Sequence, residues 1–315
     1  MQAIQFDRYG PPEVLHLATL PSPQAGPGEV RIRLQAAGVA PFDAKLRAGL
    51  LQAHFQPDLP KIPGRDGVGV VDQVGAGVSA VAVGDAVCAM ADQISGTYAE
   101  MLVCSAGRVV PRPAGLSLHQ AAALLQPGNS AWIAVMETAR VSAGMQVLVH
   151  GGAGAVGSLM VQLCKHLDAV VTATCRAGNE AYVMGLGASR AIAYDRDDFG
   201  TLRDQDVVFD LIGGSTHARS YPVLRKGGQL VYLTAAPIVD RGGEFAVKVS
   251  QAMISDQPNV LAAVARLAAD GIFRPRVAGV FALADAARAH TALEAGQVTR
   301  GRLVLEIEHQ HAAPA

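Results

Sequence analysis

The residues Gly152-Ala153-Gly154-Ala155-Val156-Gly157 satisfy the pattern G-x-G-x-x-G, whose chemistry is the holding of a pyrophosphate by backbone N–H groups. Each glycine has its own task. One makes a tight turn, one lets the anion approach the backbone, and the last lets a helix pack closely on a strand. The pattern alone also fits Gly-rich turns that bind nothing, so its flanks decide. Residues 147–150 read as a short apolar strand, 157–167 as an apolar helix and 169–174 as a second strand. A strand–turn–helix–strand unit of about thirty residues is the setting in which the pattern binds a dinucleotide. Gly152, Gly154, Ala155, Val156 and Gly157 are therefore candidate cofactor contacts.

The end of the second strand separates one dinucleotide from another. An NAD site places Asp or Glu there to hold the ribose hydroxyls. Here the strand runs Val170-Val171-Thr172-Ala173-Thr174-Cys175-Arg176, with no carboxylate at its end. Asp168 comes too early, in the preceding turn, where Asp tolerates a left-handed backbone. Arg176 stands where the acid would be. A charge-assisted bond to a 2′-phosphate contributes on the order of 1.5–3 kcal/mol. That is roughly ten- to a hundredfold in affinity. The reading is NADP(H), against the simpler one of a solvated surface arginine.

The chain around these residues has three textures. Residues 1–121 carry 11 of the 17 prolines, and their short apolar runs between Gly/Pro turns predict a mostly β domain. From residue 122 onward, short apolar strands alternate with helices, the pattern of a doubly wound parallel sheet covered on both faces. Helix formers over 120–126 are expected to break at Pro127-Gly128, with a second helix over 131–139. Residues 258–315 hold helices over 260–269 and 283–293 and a closing edge strand over 302–307, too little for a core. They are expected to return to the first domain. The expected organisation is thus 1–121, 122–257 for the nucleotide-binding (Rossmann) domain, and 258–315.

With 26 basic and 27 acidic residues in 315, no whole-protein field favours nucleic acid or anionic lipid. No apolar run is long enough to span a bilayer. Four scattered cysteines without a C-x-x-C pair fit a reducing compartment, so a cytoplasmic location is expected. Cys164, at helical spacing with Met160 and Leu167, reads as core. The tail 309–315 reads as frayed.

The whole chain resembles the medium-chain dehydrogenase/reductase superfamily, in particular its zinc-free quinone oxidoreductase branch. The resemblance rests on an ordered set of segments. These are Gly38-Val39 with Asp43 and Arg47-Ala48-Gly49, Pro63-Gly64-Arg65-Asp66, Val74-Gly75 with Gly84-Asp85, and Gly96-Thr97-Tyr98-Ala99-Glu100. Ala121-Ala122-Ala123, the turn at 150–157, Leu186-Gly187-Ala188, Ala193-Tyr194, Lys226-Gly227-Gly228, Asp285-Ala286, Ala289-His290 and Gly301-Arg302-Leu303-Val304 follow. It implies a GroES-like mostly-β domain, made from both chain ends, beside the Rossmann domain. It also implies a homodimer joined through the nucleotide-binding domains.

Zinc-containing members place a Cys soon after the Gly-Val pair; here the chain reads Ala40-Pro41-Phe42-Asp43. Their Gly-His-Glu is Gly64-Arg65-Asp66, and only Cys88 lies where their four-cysteine lobe begins. Tetrahedral zinc needs a set of Cys, His and carboxylate ligands, so no metal is expected. Without a Lewis acid, hydride transfer to an electron-poor small molecule, a quinone or an α,β-unsaturated carbonyl, is the favoured chemistry. The anion formed is delocalised and needs only hydrogen bonds and a proton. Two alternatives stand beside it: an NADP-dependent alcohol or aldehyde oxidoreductase without zinc, and a non-catalytic NADPH-binding redox sensor.

The resemblance also marks single residues. Asp43 is a candidate proton relay, with a local backbone bond as the alternative. Asn129 and Ser130 match a segment that approaches the nicotinamide, or they cap a helix. Tyr194 matches a position at the adenosine end. Gly213 and Thr234 follow later strands, where a doubly wound sheet binds ligands. Tyr98 reads as packed rather than as a cleft residue.

Overall fold

The computed structural model describes residues 1–53, 55–92, 94–233 and 238–309. A small hairpin of β1 (Gln2–Gln5) and β2 (His16–Thr19) opens the chain. The first large sheet contains β3 (Glu29–Gly38), β4 (Asp66–Val74), β5 (Ala86–Met90), β6 (Met101–Ser105) and β7 (Val109–Pro111). Its neighbours among these five are all antiparallel. Inward residues of β3 alternate (Val30, Ile32, Leu34) and are fully buried, the signature of a strand with one core face. Helix α1 (Pro41–Arg47) follows β3, with Pro41 in its first turn.

Helices α2 (Leu118–Ala122) and α3 (Leu125–Trp132) lead to the second sheet. Here the structure corrects the expected break at Pro127-Gly128. The break falls at 123–124, and α3 runs through Pro127. Pro127 is the third residue of α3, where no helical partner exists for an N–H, so its missing donor costs nothing. Nor does a separate helix begin at 131, because α3 continues as a π-helical stretch, Ile133–Ala139. Asn129 and Ser130 thus lie inside α3 and cap no helix.

The second sheet comprises β8 (Gln146–Val149), β9 (Val170–Cys175), β10 (Arg190–Ala193), β11 (Gln205–Asp210), β12 (Leu224–Tyr232) and β13 (Lys248–Gln251). It is parallel throughout, in the order β10-β9-β8-β11-β12-β13. The chain enters at β8, builds outward to β10, then returns to β11 and builds the other way. Open α/β sheets bind ligands outside the carboxyl ends of the strands at such a reversal, here between β8 and β11. Val147, Leu148, Val149, Val207, Val208 and Phe209 are all essentially buried, which is why β8 and β11 read as continuous apolar runs. Helices α4 (Ala155–His166), α5 (Glu180–Gly185), α6 (Gly214–Ser220) and α7 (Gly242–Phe245) connect the strands.

Helix α8 (Pro258–Ala269) places Leu261, Val264 and Leu267 in one core with residues of α3 and α4. Gly128 permits this crossing, since a Cβ there would lie 2.6 Å from Val264 Cγ1. Beyond it, β14 (Val277–Ala282), α9 (Ala286–Glu294) and β15 (Arg302–Glu306) complete the first sheet. β15 lies between β14 and β3, so it is an interior strand rather than the expected edge, and β14 takes the edge. No helix is long and apolar enough among the described residues to cross a membrane.

Candidate functional site

A cleft of about 800 Å3 runs from the carboxyl ends of β8, β9 and β11 to the wall formed by α1, Arg65 and the end of β5. Its first end is the Gly-rich turn. Gly151 takes φ 71, a left-handed conformation that glycine adopts without the Cβ penalty. Gly151 N donates to Thr174 Oγ1 (3.2 Å) and Gly152 N to Thr174 O (2.8 Å), so β9 fixes the turn. Gly154 caps α4, and Ser158 N donates to Gly154 O at 2.9 Å. By helix geometry the N–H groups of Ala155, Val156 and Gly157 have no partner within α4, and all three residues line the cleft. A Cβ on Gly157 would overlap the backbone of Gly151 and Gly152, which is the close strand–helix packing expected of the last glycine. The turn is thus an anion cradle at the positive end of a twelve-residue helix.

His150, just before the turn, is buried and bonds Thr174 Oγ1 (3.2 Å) and Ser220 Oγ (3.0 Å), with its ring 4.5 Å from Phe199. Burial pushes its pKa down to about 4, so it is neutral and structural. Arg176 follows β9 directly, is exposed and lines the cleft, as does Tyr194, 55% exposed. Asp195 reaches this end too, its carboxylate accepting from Ala177 N at 2.8 Å. Asp168 takes φ 58, as its place in the turn predicted. Gly213 takes φ 81, and its N–H, like that of Ile212, donates to Asp210 Oδ1. It shapes the loop after β11, while Leu211 and Ile212 of that loop line the cleft. Thr234 lies outside the described residues.

The other end is walled by Phe42, Leu51, Phe55, Arg65, Met90, Asn129 and Ser130. Ser130 Oγ donates to Gln126 O, and Asn129 donates to Ser255 O and Asp256 Oδ1. Asp43 is 1% exposed and does not line this cleft. Its Oδ2 accepts from Ala40 N at 2.9 Å and faces Tyr98 OH at 3.5 Å. Burial pushes its pKa up to about 6, against the lowering influence of Arg302 and the Ala40 N–H. Tyr98 is fully buried and its OH lies 3.1 Å from His290 Nε2. Cys164 is core, with burial raising its thiol to about 12.

Three contributors were not singled out in the sequence. Thr174 braces the turn. Arg302, on the cleft floor, makes a bidentate pair with Asp66 (2.6 and 2.7 Å), both 2% exposed. Asp256, after β13, bonds Arg65 and Arg108. A polar residue at the carboxyl end of β9 was the only local signal for Thr174. The other two depend on long-range pairing, which spacing does not reveal.

Comparison with known proteins gives this geometry its family. Residues 26–114 match the alcohol dehydrogenase GroES-like domain and 186–305 the family described as zinc-binding dehydrogenase. The chain is 32% identical, over 96% of its length and 98% of the relative's, to a quinone oxidoreductase of Pseudomonas aeruginosa. It is 36% identical to the 2-methylene-furan-3-one reductase of Solanum lycopersicum, over 78% of this chain and 65% of that one. The Escherichia coli quinone oxidoreductase, solved as a complex with NADPH, superposes with TM-score 0.88 at 27% identity, covering 97% and 100% of the two chains. The chain belongs to the medium-chain dehydrogenase/reductase superfamily, with quinone oxidoreductases among its full-length relatives, and it has the expected GroES-like and Rossmann domains.

A zinc ion, which the second family description names, does not fit the residues present. Ala40 offers no ligand atom, Arg65 is a cation paired with Asp256, and Asp66 spends both oxygens on Arg302. Among the described residues no three His, Cys, Asp or Glu side chains gather as a metal site.

Proposed function

From this membership we propose that the chain is an NADPH-dependent reductase of quinones or α,β-unsaturated carbonyl compounds that works without zinc. The observation that carries the proposal is the cleft joining the anion cradle of α4 to a largely apolar wall where, among the described residues, no set of metal ligands gathers. The cradle suits the pyrophosphate, with the N–H groups of Ala155, Val156 and Gly157 facing it. Arg176 suits a 2′-phosphate and Tyr194 the adenosine. Asn129 and Ser130 stand where the nicotinamide would end. The bound nicotinamide would supply the hydride.

The chain's own part is orientation and exclusion of water. Phe42, Leu51, Phe55 and Met90 give the acceptor a low-dielectric wall, which strengthens every charge interaction within it. Asp43, sealed from the cleft, is a positioning residue in this reading: it holds Ala40 N and so the backbone of the wall. The relatives named for quinone and for furanone reduction support the acceptor class, and the NADPH complex of the Escherichia coli enzyme supports the cofactor. A homodimer is proposed across β13, whose outer edge is unpaired among the described residues and offers a row of backbone groups. Light scattering giving a monomer mass would exclude it.

The test is NADPH consumption by chelator-treated protein with a panel of quinones, enones and enoyl thioesters. Turnover with some of them is expected. Failure with every one would remove the proposal.

A further inference from the structure

Opposite the Gly-rich turn, the cleft wall carries a polar cluster drawn from four separate parts of the chain. Asp256, 7% exposed, receives Arg65 Nη2 at 2.6 Å and Arg108 Nη1 at 2.8 Å. Asn129 Nδ2 donates to it at 3.2 Å. Two guanidinium groups therefore share one carboxylate. Arg65 also donates to Asp92 O at 3.3 Å, yet its side chain remains 23% exposed and lines the cleft. Lys45 lines the same cleft, and Lys61 lies beside Arg65.

The other carboxylates nearby are engaged elsewhere: Asp92 Oδ1 accepts from Ile94 N, Ser95 N and Ser95 Oγ, Asp66 is paired with Arg302, and Asp43 is buried on Ala40 N. The acceptor end thus carries more positive than negative charge. A second observation points to a bound molecule. Asn129 is fully buried and its Oδ1 has no partner. Leaving such an acceptor empty is costly; a donor of the bound cofactor, not the acceptor's carboxylate, would complete it, and the anion falls to Arg65.

We propose that Arg65, held by Asp256, is an anion subsite that selects acceptors bearing a carboxylate next to the reducible double bond. The planar guanidinium is rigidly presented by its bond to Asp256 and keeps donors for a second carboxylate. Saturation of the C=C bond adds one hydride from NADPH and one proton from water and leaves the carboxylate unchanged. The subsite therefore selects the substrate and takes no part in the bond changes. For the reaction, this inference rests on the reductase reading above; for binding, it rests only on that reading's cofactor site.

The experiment compares an acid with its methyl ester, in two pairs. Turnover uses 4-oxopent-2-enoate and its ester; binding uses the saturated 4-oxopentanoate and its ester on NADP⁺-loaded protein, read by calorimetry. The wild type should favour each acid by about tenfold or more, a charge-assisted contribution of ~1.4 kcal/mol. Arg65→Gln should abolish that preference, read as the ratio of acid to ester, and Arg65→Lys should restore part of it. Equal affinity for acid and ester in the wild type overturns the subsite, and so does undetectable binding of both. An Arg65→Gln variant that weakens both forms equally does the same. Acid preference in binding without turnover of any acceptor would instead count against the reductase reading.

Discussion

Gly157 and Gly154 should fail differently when each is given a methyl group. A Cβ on Gly157 would lie 2.8 Å from Gly151 C and 3.0 Å from Gly152 Cα, where ordinary contacts start at 3.4 Å. Backbone on one side and helix on the other leave nothing flexible to yield, and Gly151 O is overlapped more closely still, so α4 and the turn must separate by about 1 Å. Overpacking of this kind costs roughly 1–3 kcal/mol, and the displaced N–H groups should also bind a pyrophosphate less well. On Gly154 the nearest atom to a Cβ is Gly151 O at 3.4 Å, with φ −71, so alanine fits the fold. Its methyl group would instead enter the cleft where the anion must approach. Gly157→Ala should therefore lower the melting temperature, by roughly 2–4 °C per kcal/mol for a domain of this size, and also raise the Kd for NADPH. Gly154→Ala should leave melting unchanged and raise the Kd about tenfold or more, near 1.4 kcal/mol. Differential scanning fluorimetry and fluorescence titration read the two effects. Unchanged melting in Gly157→Ala, or unchanged affinity in Gly154→Ala, would refute the assignment of roles.

Other consequences follow from the buried polar groups. Asp66→Asn leaves Arg302 charged and sealed from water, and should cost about 3–5 kcal/mol in urea unfolding, with Asp66→Leu/Arg302→Met together costing less; a loss under about 1 kcal/mol would contradict the pairing. Asp43 has a folded pKa near 6 against 3.8 unfolded, so the native state holds its proton more tightly. Its contribution to stability is full below the unfolded value and is lost as pH rises through about 6. The stability of the wild type minus that of Asp43→Asn should thus fall by on the order of 3 kcal/mol between about pH 4 and pH 7. Parallel pH curves would show that Asp43 is not shifted.

The nucleotide-binding half was readable because its signals are local. The turn at 151–157 lies between a strand ending in three buried apolar residues and a helix with eight buried residues, and each has its own period. What escaped depends on partners far along the chain. β13 and β14 are short and partly exposed, so neither shows an apolar period, and only pairing with β12 and β15 makes them strands. Pro127 reads as a breaker in the sequence because no capping residue announces that α3 starts at Leu125 and puts it in the first turn. The polar cluster of Arg65, Arg108, Asn129 and Asp256 joins residues up to 191 positions apart. Nothing in their spacing announces it.

The central claim, an NADPH site whose preference resides in Arg176, is tested most directly by titrating the wild type and Arg176→Ala with NADPH and NADH. The account predicts tighter NADPH binding in the wild type and a selective loss in the variant of roughly ten- to a hundredfold, with NADH little changed. Equal affinity of the wild type for both cofactors, or an Arg176→Ala variant that still prefers NADPH, would contradict it.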